Sequence, residues 1–193
     1  MTFEEGVLPH LDAAYNLARW LTRNDADAQD VVQESFLRAL RFFSGFRGSD
    51  ARAWLLTIVR NTCYTWLKRT KSREVFSDFS EAMYARESDE PDPETVQLIK
   101  AQTQLVTEAI EKLPIEFREI LVLRELEELS YKEIAEVTGI PIGTVMSRLA
   151  RARKRLLASL KVDGTKTQRK SSRVDLVQVW NLKLTQTQDC RNK

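Results

Sequence analysis

The segment from Ser130 to Leu156, SYKEIAEVTGIPIGTVMSRLARARKRL, constrains the fold of this chain more than any other. Ser130 and Glu133 have the spacing of a capping box, in which each side chain pairs with an otherwise unpaired backbone N–H at a helix start. Gly139 provides a left-handed stop after one short helix, and Pro141 suits the first turn of the next. The segment therefore predicts two helices joined by a tight turn.

The second of these helices, expected to run to about Leu160, divides into two sides at the 3.6-residue period. The apolar side carries Val145, Leu149, Ala152 and Leu156, and the opposite side carries Ser147, Ala150, Arg151 and Lys154. The basic residues are Arg148, Arg151, Arg153, Lys154, Arg155 and Lys161, with no acid among them. Such a charge run alone is equally typical of a solvated helix face. Together with the capping box, Gly139 and Pro141, it predicts a helix-turn-helix that reads DNA.

The composition excludes several other classes of protein. A chain of 193 residues with 42% hydrophobic and 30% charged residues has an ordinary globular balance. No apolar run reaches the roughly 18 residues that span a bilayer, and the amino terminus does not resemble a signal peptide, so we expect a cytoplasmic protein without membrane insertion. Two distant cysteines and one histidine argue against a disulfide framework, a metal site or a cofactor. Without a Gly-rich phosphate loop, an enzyme is the weakest interpretation.

Helical periods elsewhere predict an all-α fold of two small domains joined by a flexible acidic linker. Residues 1–72 read as a three-helix domain, with helices near 11–23, 27–43 and 51–71. Residues 73–94 end in the acidic, proline-interrupted run ESDEPDPE and are typical of a linker. Residues 95–161 form a second domain that ends in the helix-turn-helix, a winged-helix-like DNA-binding unit. Domains this small bury a limited fraction of their surface, so we expect them to move about the linker.

Three segments then carry a family resemblance. LPIEFREILVLRELEELSYKEIAEVTGIPIGTVMSRLARARKRL, residues 113–156, resembles the DNA-binding domain of the extracytoplasmic-function (ECF) sigma factors of bacterial RNA polymerase, in the sigma-70 family. DADAQDVVQESFLRAL, residues 25–40, and FRGSDARAWLLTIVRNTCYTWLKR, residues 46–69, are similar to the other conserved domain of that family. The resemblance covers about residues 11–160. It implies regions 2 and 4 of a sigma factor, in that order.

The resemblance implies that the second domain reads the minus-35 promoter element in the major groove. By motif position, the residues expected at this DNA are Thr144, Met146, Ser147, Arg148, Ala150, Arg151 and Lys154. Arg151 is the best candidate for reading a base, because a guanidinium pairs bidentately with guanine. Met146 departs from the basic residue of many relatives, and it either contacts an apolar group such as a thymine methyl or merely covers the helix flank.

The first domain is expected to recognise and open the minus-10 element. The residues implied are the loop Phe46, Arg47, Gly48, Ser49 and Asp50, with Asn61, Arg60 and Lys68 from the following helix. The loop and the Asn61 amide match the family's pocket for a flipped base, and basic side chains line the path of the strand. The alternative for Asn61 is an ordinary solvated polar residue with no role in binding. Trp54 and Trp66 are better explained as core residues than as surfaces for stacking bases.

The resemblance also implies partners. Asp30, Gln33 and Glu34 present one polar edge for the β′ clamp helices of core RNA polymerase, unless they form an ordinary exposed face. The β flap and promoter DNA are the other expected partners, and the resemblance allows an anti-sigma factor. The acidic linker is either an RNA mimic in the polymerase or a solvated tether. Residues 162–193 lie outside the resemblance. Three interpretations of them remain: a tail that binds DNA nonspecifically, an element that regulates core binding, or a sequence specific to this chain.

The predicted function is therefore an RNA polymerase sigma factor that directs promoter-specific initiation without catalysis of its own. The alternative from a different class is an autonomous helix-turn-helix regulator, with residues 1–94 as a sensing or dimerising domain. The basic and aromatic helix in the amino-terminal half favours the sigma factor. A regulator should bind its site alone, whereas a sigma factor should require core polymerase.

Overall fold

The computed structural model describes residues 2–48, 50–74 and 104–162, and every regular element within these ranges is helical. The amino-terminal part contains α1 (Phe3–Gly6), α2 (Leu11–Thr22), α3 (Asp25–Phe42) and α4 (Ala51–Glu74). Short 3-10 turns, Leu8–His10 and Phe43–Gly45, join α1 to α2 and extend α3. The expected three-helix unit is thus present, preceded by a short helix that the periodicity did not predict.

Side chains at the helix starts explain where the amino-terminal helices begin. Asn24 caps α3 by accepting a hydrogen bond from the Asp27 backbone N–H at 3.1 Å. Asp50 does the same for α4, where its carboxylate accepts from the Ala53 N–H at 3.0 Å. Arg23 ends α2 in the left-handed conformation, with φ of 64°. Each of these caps satisfies backbone groups that a helix end leaves unpaired.

The second part contains a helix over residues 104–111 (α5), then α6 (Ile115–Glu125), α7 (Tyr131–Thr138) and α8 (Ile142–Val162). Pro114 precedes α6, at the position where its missing N–H costs nothing. Ser130 caps the start of α7 and Gly139, whose φ is 68°, caps its end, as the sequence predicted. The expected helix-turn-helix is therefore formed by α7 and α8.

The two parts pack against each other, which the sequence did not predict. α2, α3 and α4 pack together, as do α6, α7 and α8, while α2 also contacts α6 and α4 contacts α7. Apolar residues of both parts belong to one buried core. The contact encloses Arg118, Glu119 and Glu127, all of them nearly or fully buried. We expected two separate domains that move about a linker, but the structure shows the two parts packed together.

The predicted linker and tail fall largely outside the described residues. Residues 73 and 74 belong to α4, whereas 75–94 lie outside the described part, as do 95–103 and the tail from 163 to 193. Within the described ranges, no helix combines the length and apolar character needed to cross a membrane.

Candidate nucleic-acid interface

One side of α8 is buried, as its sequence period predicts. The four apolar positions Val145, Leu149, Ala152 and Leu156 are at most 3% exposed. They pack toward α6 and α7, because these are the helices that contact α8. This packing fixes the rotation of α8 about its own axis and decides which of its side chains face outward.

The outward side of α8 presents the residues expected to contact the minus-35 element. Exposed side chains are Met146, Ser147, Ala150, Arg151 and Lys154, and Thr144 and Arg148 are half-buried at its edges. Met146 is 48% exposed, so it does not fill the core. The Ser147 hydroxyl donates to the Thr144 carbonyl at 3.1 Å, which leaves its oxygen as an acceptor. We call this set of seven residues the α8 reading face.

Two of the basic side chains on α8 contact other parts of the protein and not solvent alone. Arg153 forms an ion pair with Glu125 of α6, and Arg155 lies over the ring of Phe117, 4.8 Å from its centroid. Within the described part of the chain, Arg151 and Lys154 form no ion pair. Arg151 and Lys154 therefore present unpaired charge on the reading face, where a phosphate or base would meet it, and Arg155 keeps its charge because the ring contact does not neutralise it.

The residues that cap α7 fix where this helix starts and ends, and so determine how the chain enters α8 and its reading face. Ser130 accepts from the Glu133 N–H at 3.2 Å, and the Glu133 carboxylate accepts from the Ser130 N–H at 2.6 Å. Hydrogen bonding to Ser130 lowers the pKa of Glu133, because it favours the ionised carboxylate. The left-handed Gly139 then turns the chain into α8. No other residue type adopts this conformation as readily.

The loop expected at the minus-10 element is anchored by aromatic rings. Phe46 lies against Trp54 of α4, with 4.8 Å between ring centroids, and stacks on Phe43 at 6.2 Å. A Cβ atom added to Gly48 would lie 2.7 Å from the Phe46 ring, so this position accepts no side chain unless the ring moves. The loop is therefore held by its own packing. Trp54 and Trp66 are partly buried against the core, as predicted.

Other residues of this loop have local roles. The Arg47 guanidinium donates to the Ser44 carbonyl at 2.7 Å, and the Asp50 carboxylate is used as the cap of α4. Ser49 lies outside the described residues. Both charged side chains of this loop are therefore already engaged within the protein.

Asn61 is exposed on α4, and its side-chain oxygen accepts from Arg60 at 3.4 Å. It follows Trp54 by seven residues, which places the two on one face of the helix, about 10 Å apart at 1.5 Å per residue. Lys68, two turns further along that face, is also exposed. The anchored loop and Asn61 therefore border the same face of α4.

Arg60 is not placed as a free contact for a DNA strand. Its guanidinium pairs with the carboxylate of Glu119 on α6 and lies over the Tyr64 ring, 4.6 Å from the centroid. Its side chain is only 19% exposed. The sequence could not reveal this partner, because Glu119 lies far along the chain in a segment that reads as an ordinary helix.

The predicted polar edge of α3 is exposed and continues into an apolar patch that the sequence analysis missed. Asp30, Gln33 and Glu34 are exposed, and Glu34 pairs with Arg38 at 2.6 Å. Two large apolar side chains extend this exposed side of the helix, Leu37 (70%) and Leu40 (57%), whereas Phe42 (59%) is exposed on a different side. An excess of apolar residues beyond one helical stripe was the signal available. Adjacent exposed apolar groups of this size are typical of a protein-binding surface.

The sequence matches two family models, each covering one part of the fold. Residues 7–73 match the model described as "Sigma-70 region 2", and residues 103–156 match "Sigma-70, region 4". The first match ends within α4 and the second spans α5 to α8, so the matches agree with the order of the two helical parts.

Individual relatives carry sigma-factor names. The chain is 37% identical over 147 residues to the ECF RNA polymerase sigma-E factor of Haemophilus influenzae, covering 72% of this chain and 76% of the relative. It is 40% identical over 136 residues to the sigma-E factor of Salmonella typhimurium, covering 66% and 71% respectively.

Solved structures show the same fold. The sigma factor RpoE of Bartonella quintana, solved with the anti-sigma factor NepR, aligns with a TM-score of 0.68 at 30% identity, over 84% of this chain and 98% of that one. CnrH, solved with the cytosolic domain of CnrY, aligns with a TM-score of 0.58 at 28% identity, over 84% and 89%.

Proposed function

This chain belongs to the ECF sigma factors of the sigma-70 family, and from that premise we propose how its residues divide the work of promoter recognition. It is an RNA polymerase sigma factor for promoter-specific transcription initiation, with core polymerase and promoter DNA as its partners. An autonomous helix-turn-helix regulator does not account for the region 2 match over residues 7–73.

The second domain, residues 95–161, reads the minus-35 element through the α8 reading face. The observation that carries this assignment is the coincidence of exposure and unpaired charge at Arg151 and Lys154 on one side of a cap-defined helix-turn-helix. Arg151 reads a base, while Lys154 and Arg148 contact phosphates. Met146 makes an apolar contact, for which a thymine methyl in the major groove is suited.

The first domain, residues 1–72, binds the minus-10 element and assists strand opening. The aromatic-anchored loop and Asn61 border one face of α4, where an unpaired base would be held by loop backbone groups and the Asn61 amide. Lys68 attracts the displaced strand. Base binding and strand opening form and break no covalent bonds, so the protein has no catalytic activity of its own.

The exposed surface of α3 docks on the β′ clamp helices of core polymerase. Its polar edge, Asp30, Gln33 and Glu34, lies beside exposed Leu37 and Leu40, a combination that suits a specific interface with a hydrophobic centre. The second domain meets the β flap, and the site of action is the cytoplasm. A structural relative was solved with an anti-sigma factor, which supports a partner of this class here.

A pair of arginine variants tests the assignment of α8. Arg151→Ala should reduce binding of the holoenzyme to a minus-35 promoter about 10- to 100-fold, the equivalent of one base contact. Arg153→Ala removes the same charge from the same helix but from the side that faces Glu125, so promoter binding should change little. Equal losses from both variants would show that charge alone, rather than the reading face, determines binding.

Asn61→Ala tests the first domain separately. It should slow open-complex formation, measured as permanganate reactivity of unpaired thymines near minus-10, and leave closed-complex footprints nearly intact. Arg151→Ala should do the reverse. If both variants weaken both steps to the same extent, the division of labour between the domains is wrong.

A further inference from the structure

A row of aromatic rings connects the amino-terminal helix α1 with the loop expected at the minus-10 element. Phe3 of α1 meets Phe43 edge to face, with 5.4 Å between ring centroids and an interplanar angle of 86°. Phe43 stacks on Phe46 at 6.2 Å and lies 6.3 Å from Trp54. Edge-to-face and offset-stacked pairs at these separations are the arrangements that aromatic rings prefer. Phe3 therefore adds a ring from outside the loop to the three rings that anchor it.

The position of the loop depends on this ring cluster. Phe3, Phe43 and Trp54 pack against the buried core, whereas Phe46 is half-buried and packs on the rings of Phe43 and Trp54. The Phe46 backbone N–H also donates to the Phe43 carbonyl at 3.0 Å. The Gly48 backbone lies so close to the Phe46 ring that an added Cβ atom would be 2.7 Å from it. A displacement of Phe43 would therefore be passed to the loop through Phe46.

Helix α1 is held in place although it has only four residues. The Thr2 hydroxyl accepts from the Glu5 N–H at 3.3 Å, and the Glu5 carboxylate accepts from the Thr2 N–H at 2.8 Å. After the helix, the N–H of the fully buried Val7 donates to the Phe3 carbonyl at 2.8 Å. These contacts satisfy backbone groups that helix ends leave unpaired, so the Phe3 ring meets Phe43 from a fixed position.

The Phe3 ring bridges two rings of the following helix. Besides Phe43 it meets Phe36 of α3, also edge to face, with 6.4 Å between centroids. Phe36 and Phe43 are seven residues apart, about 10 Å along the axis at 1.5 Å per residue. Phe43 adjoins the loop, whereas Phe36 lies two turns before it. α1 precedes residues 7–73, the part that matches sigma-70 region 2, so this match assigns no role to Phe3.

We propose that Phe3 is a positioning residue for the minus-10 loop, which it supports through Phe43 and Phe46. The proposal rests on the proposed function of that loop in holding an unpaired base together with Asn61. By keeping Phe46 on Trp54, Phe3 reduces the conformational freedom that the loop must lose when it binds the base. Phe3 itself acts through the ring cluster and not by contact with DNA.

The first test measures the loop in the free, full-length chain. Phe3→Leu keeps an apolar side chain but removes the ring, so amide hydrogen exchange in peptides covering residues 46–50 should become faster than in wild type. Phe3→Tyr keeps the ring and should exchange like wild type. Circular dichroism establishes that each variant is folded. Unchanged exchange in Phe3→Leu would overturn the proposal.

The second test measures base binding by the holoenzyme. The probe is a single-stranded oligonucleotide that carries the minus-10 element of a promoter transcribed with the wild-type protein. Phe3→Leu should weaken its binding about two- to tenfold, the range expected for the loss of one aromatic pair. Phe36→Leu is the matched control, because it removes the other ring that Phe3 meets, and it should leave the affinity nearly unchanged. An equal loss from both variants would overturn the proposal.

A double-mutant cycle tests whether Phe3 acts through Phe43. Phe43→Leu alone should also weaken binding of the oligonucleotide, and adding Phe3→Leu should cause no further loss, because the connection to the loop is already broken. Additive losses would contradict the proposal, as would faster loop exchange without any loss of binding. A wild-type holoenzyme that does not bind the oligonucleotide would instead contradict the proposed function of the loop. The two failures are distinguishable, since loop exchange is measured without polymerase or DNA.

Discussion

At the scale of single residues, Gly48 shows how a loop position depends on a neighbouring ring. An added methyl group would lie 2.7 Å from the Phe46 ring, whereas nothing lies within 4 Å of the equivalent position at Gly45. We expect Gly48→Ala to move Phe46 off Trp54, to cost about 1 kcal/mol of stability and to slow open-complex formation. Gly45→Ala is the matched control. Chemical denaturation and permanganate footprinting measure the two effects, and equal behaviour of the variants would refute the role of the ring.

A second residue-scale prediction concerns Glu128, which has a φ of 54°. This left-handed conformation is strained for a residue with a Cβ atom, and glycine removes the strain at some cost in unfolded-state entropy. Glu128→Gly should therefore raise the free energy of unfolding by about 0.5 to 1 kcal/mol. Glu128→Ala keeps the Cβ atom and should not. A stabilising effect of the alanine variant as large as that of glycine would exclude the backbone explanation.

Residue roles were predictable from the sequence where they depend on helical period and caps. The exposure of Arg151 and the burial of Val145 follow from the period of α8 alone. The pairing of Arg60 with Glu119 did not follow, because it joins residues 59 positions apart. Its consequence, that Arg60 faces the other domain rather than open solvent, required the tertiary structure.

At the scale of elements, the capping box of α7 positions the recognition helix. Ser130→Ala removes the acceptor for the Glu133 N–H and should lower the free energy of unfolding by about 1 kcal/mol. Thr2→Ala removes the same type of cap from α1, a helix of four residues, and should cost less. Urea unfolding followed by circular dichroism gives both values. Equal costs would mean that the cap of α7 has no special importance.

The same cap predicts a dependence on pH. The pKa of Glu133 is lowered in the folded protein by its hydrogen bonds with Ser130, so the ionised carboxylate is favoured by folding. Its contribution is fully present above the ordinary pKa of about 4.5 and is lost as the pH falls through the lowered folded-state value. Wild type should therefore exceed Glu133→Gln in stability at pH 7, and the difference should shrink toward pH 3. A difference that stays constant with pH would contradict this.

Helix limits were largely predictable, because α7 and α8 are bounded by residues whose backbone preferences are strong. The short α1 was missed, since four residues are too few to show a period. The exposure of Leu37, Leu40 and Phe42 on α3 did not follow from the sequence, because a helical period does not show which apolar residues remain outside the core. Only the packing of α3 against α2 and α4 shows which of its apolar residues are left outside.

At the scale of the whole molecule, the family resemblance carried by the quoted segments is confirmed, with sigma-70 regions 2 and 4 in the expected order. The all-α fold is confirmed by related sigma factor structures. The packing of the domains against each other could not be predicted from the sequence. Glu119 and Glu127 lie in the charged stretch EFREILVLRELEE, where nothing distinguishes a residue that will be buried between domains from one that will be solvated.

The most direct test of the central claim is in vitro transcription from a genomic promoter library, using core RNA polymerase with and without this protein, followed by sequencing of the transcript starts. A sigma factor that reads two elements predicts starts that depend on the protein and share two upstream motifs at a fixed spacing. Starts that do not depend on the protein, together with footprinting of a site by the purified protein alone, would contradict the account and indicate an autonomous regulator.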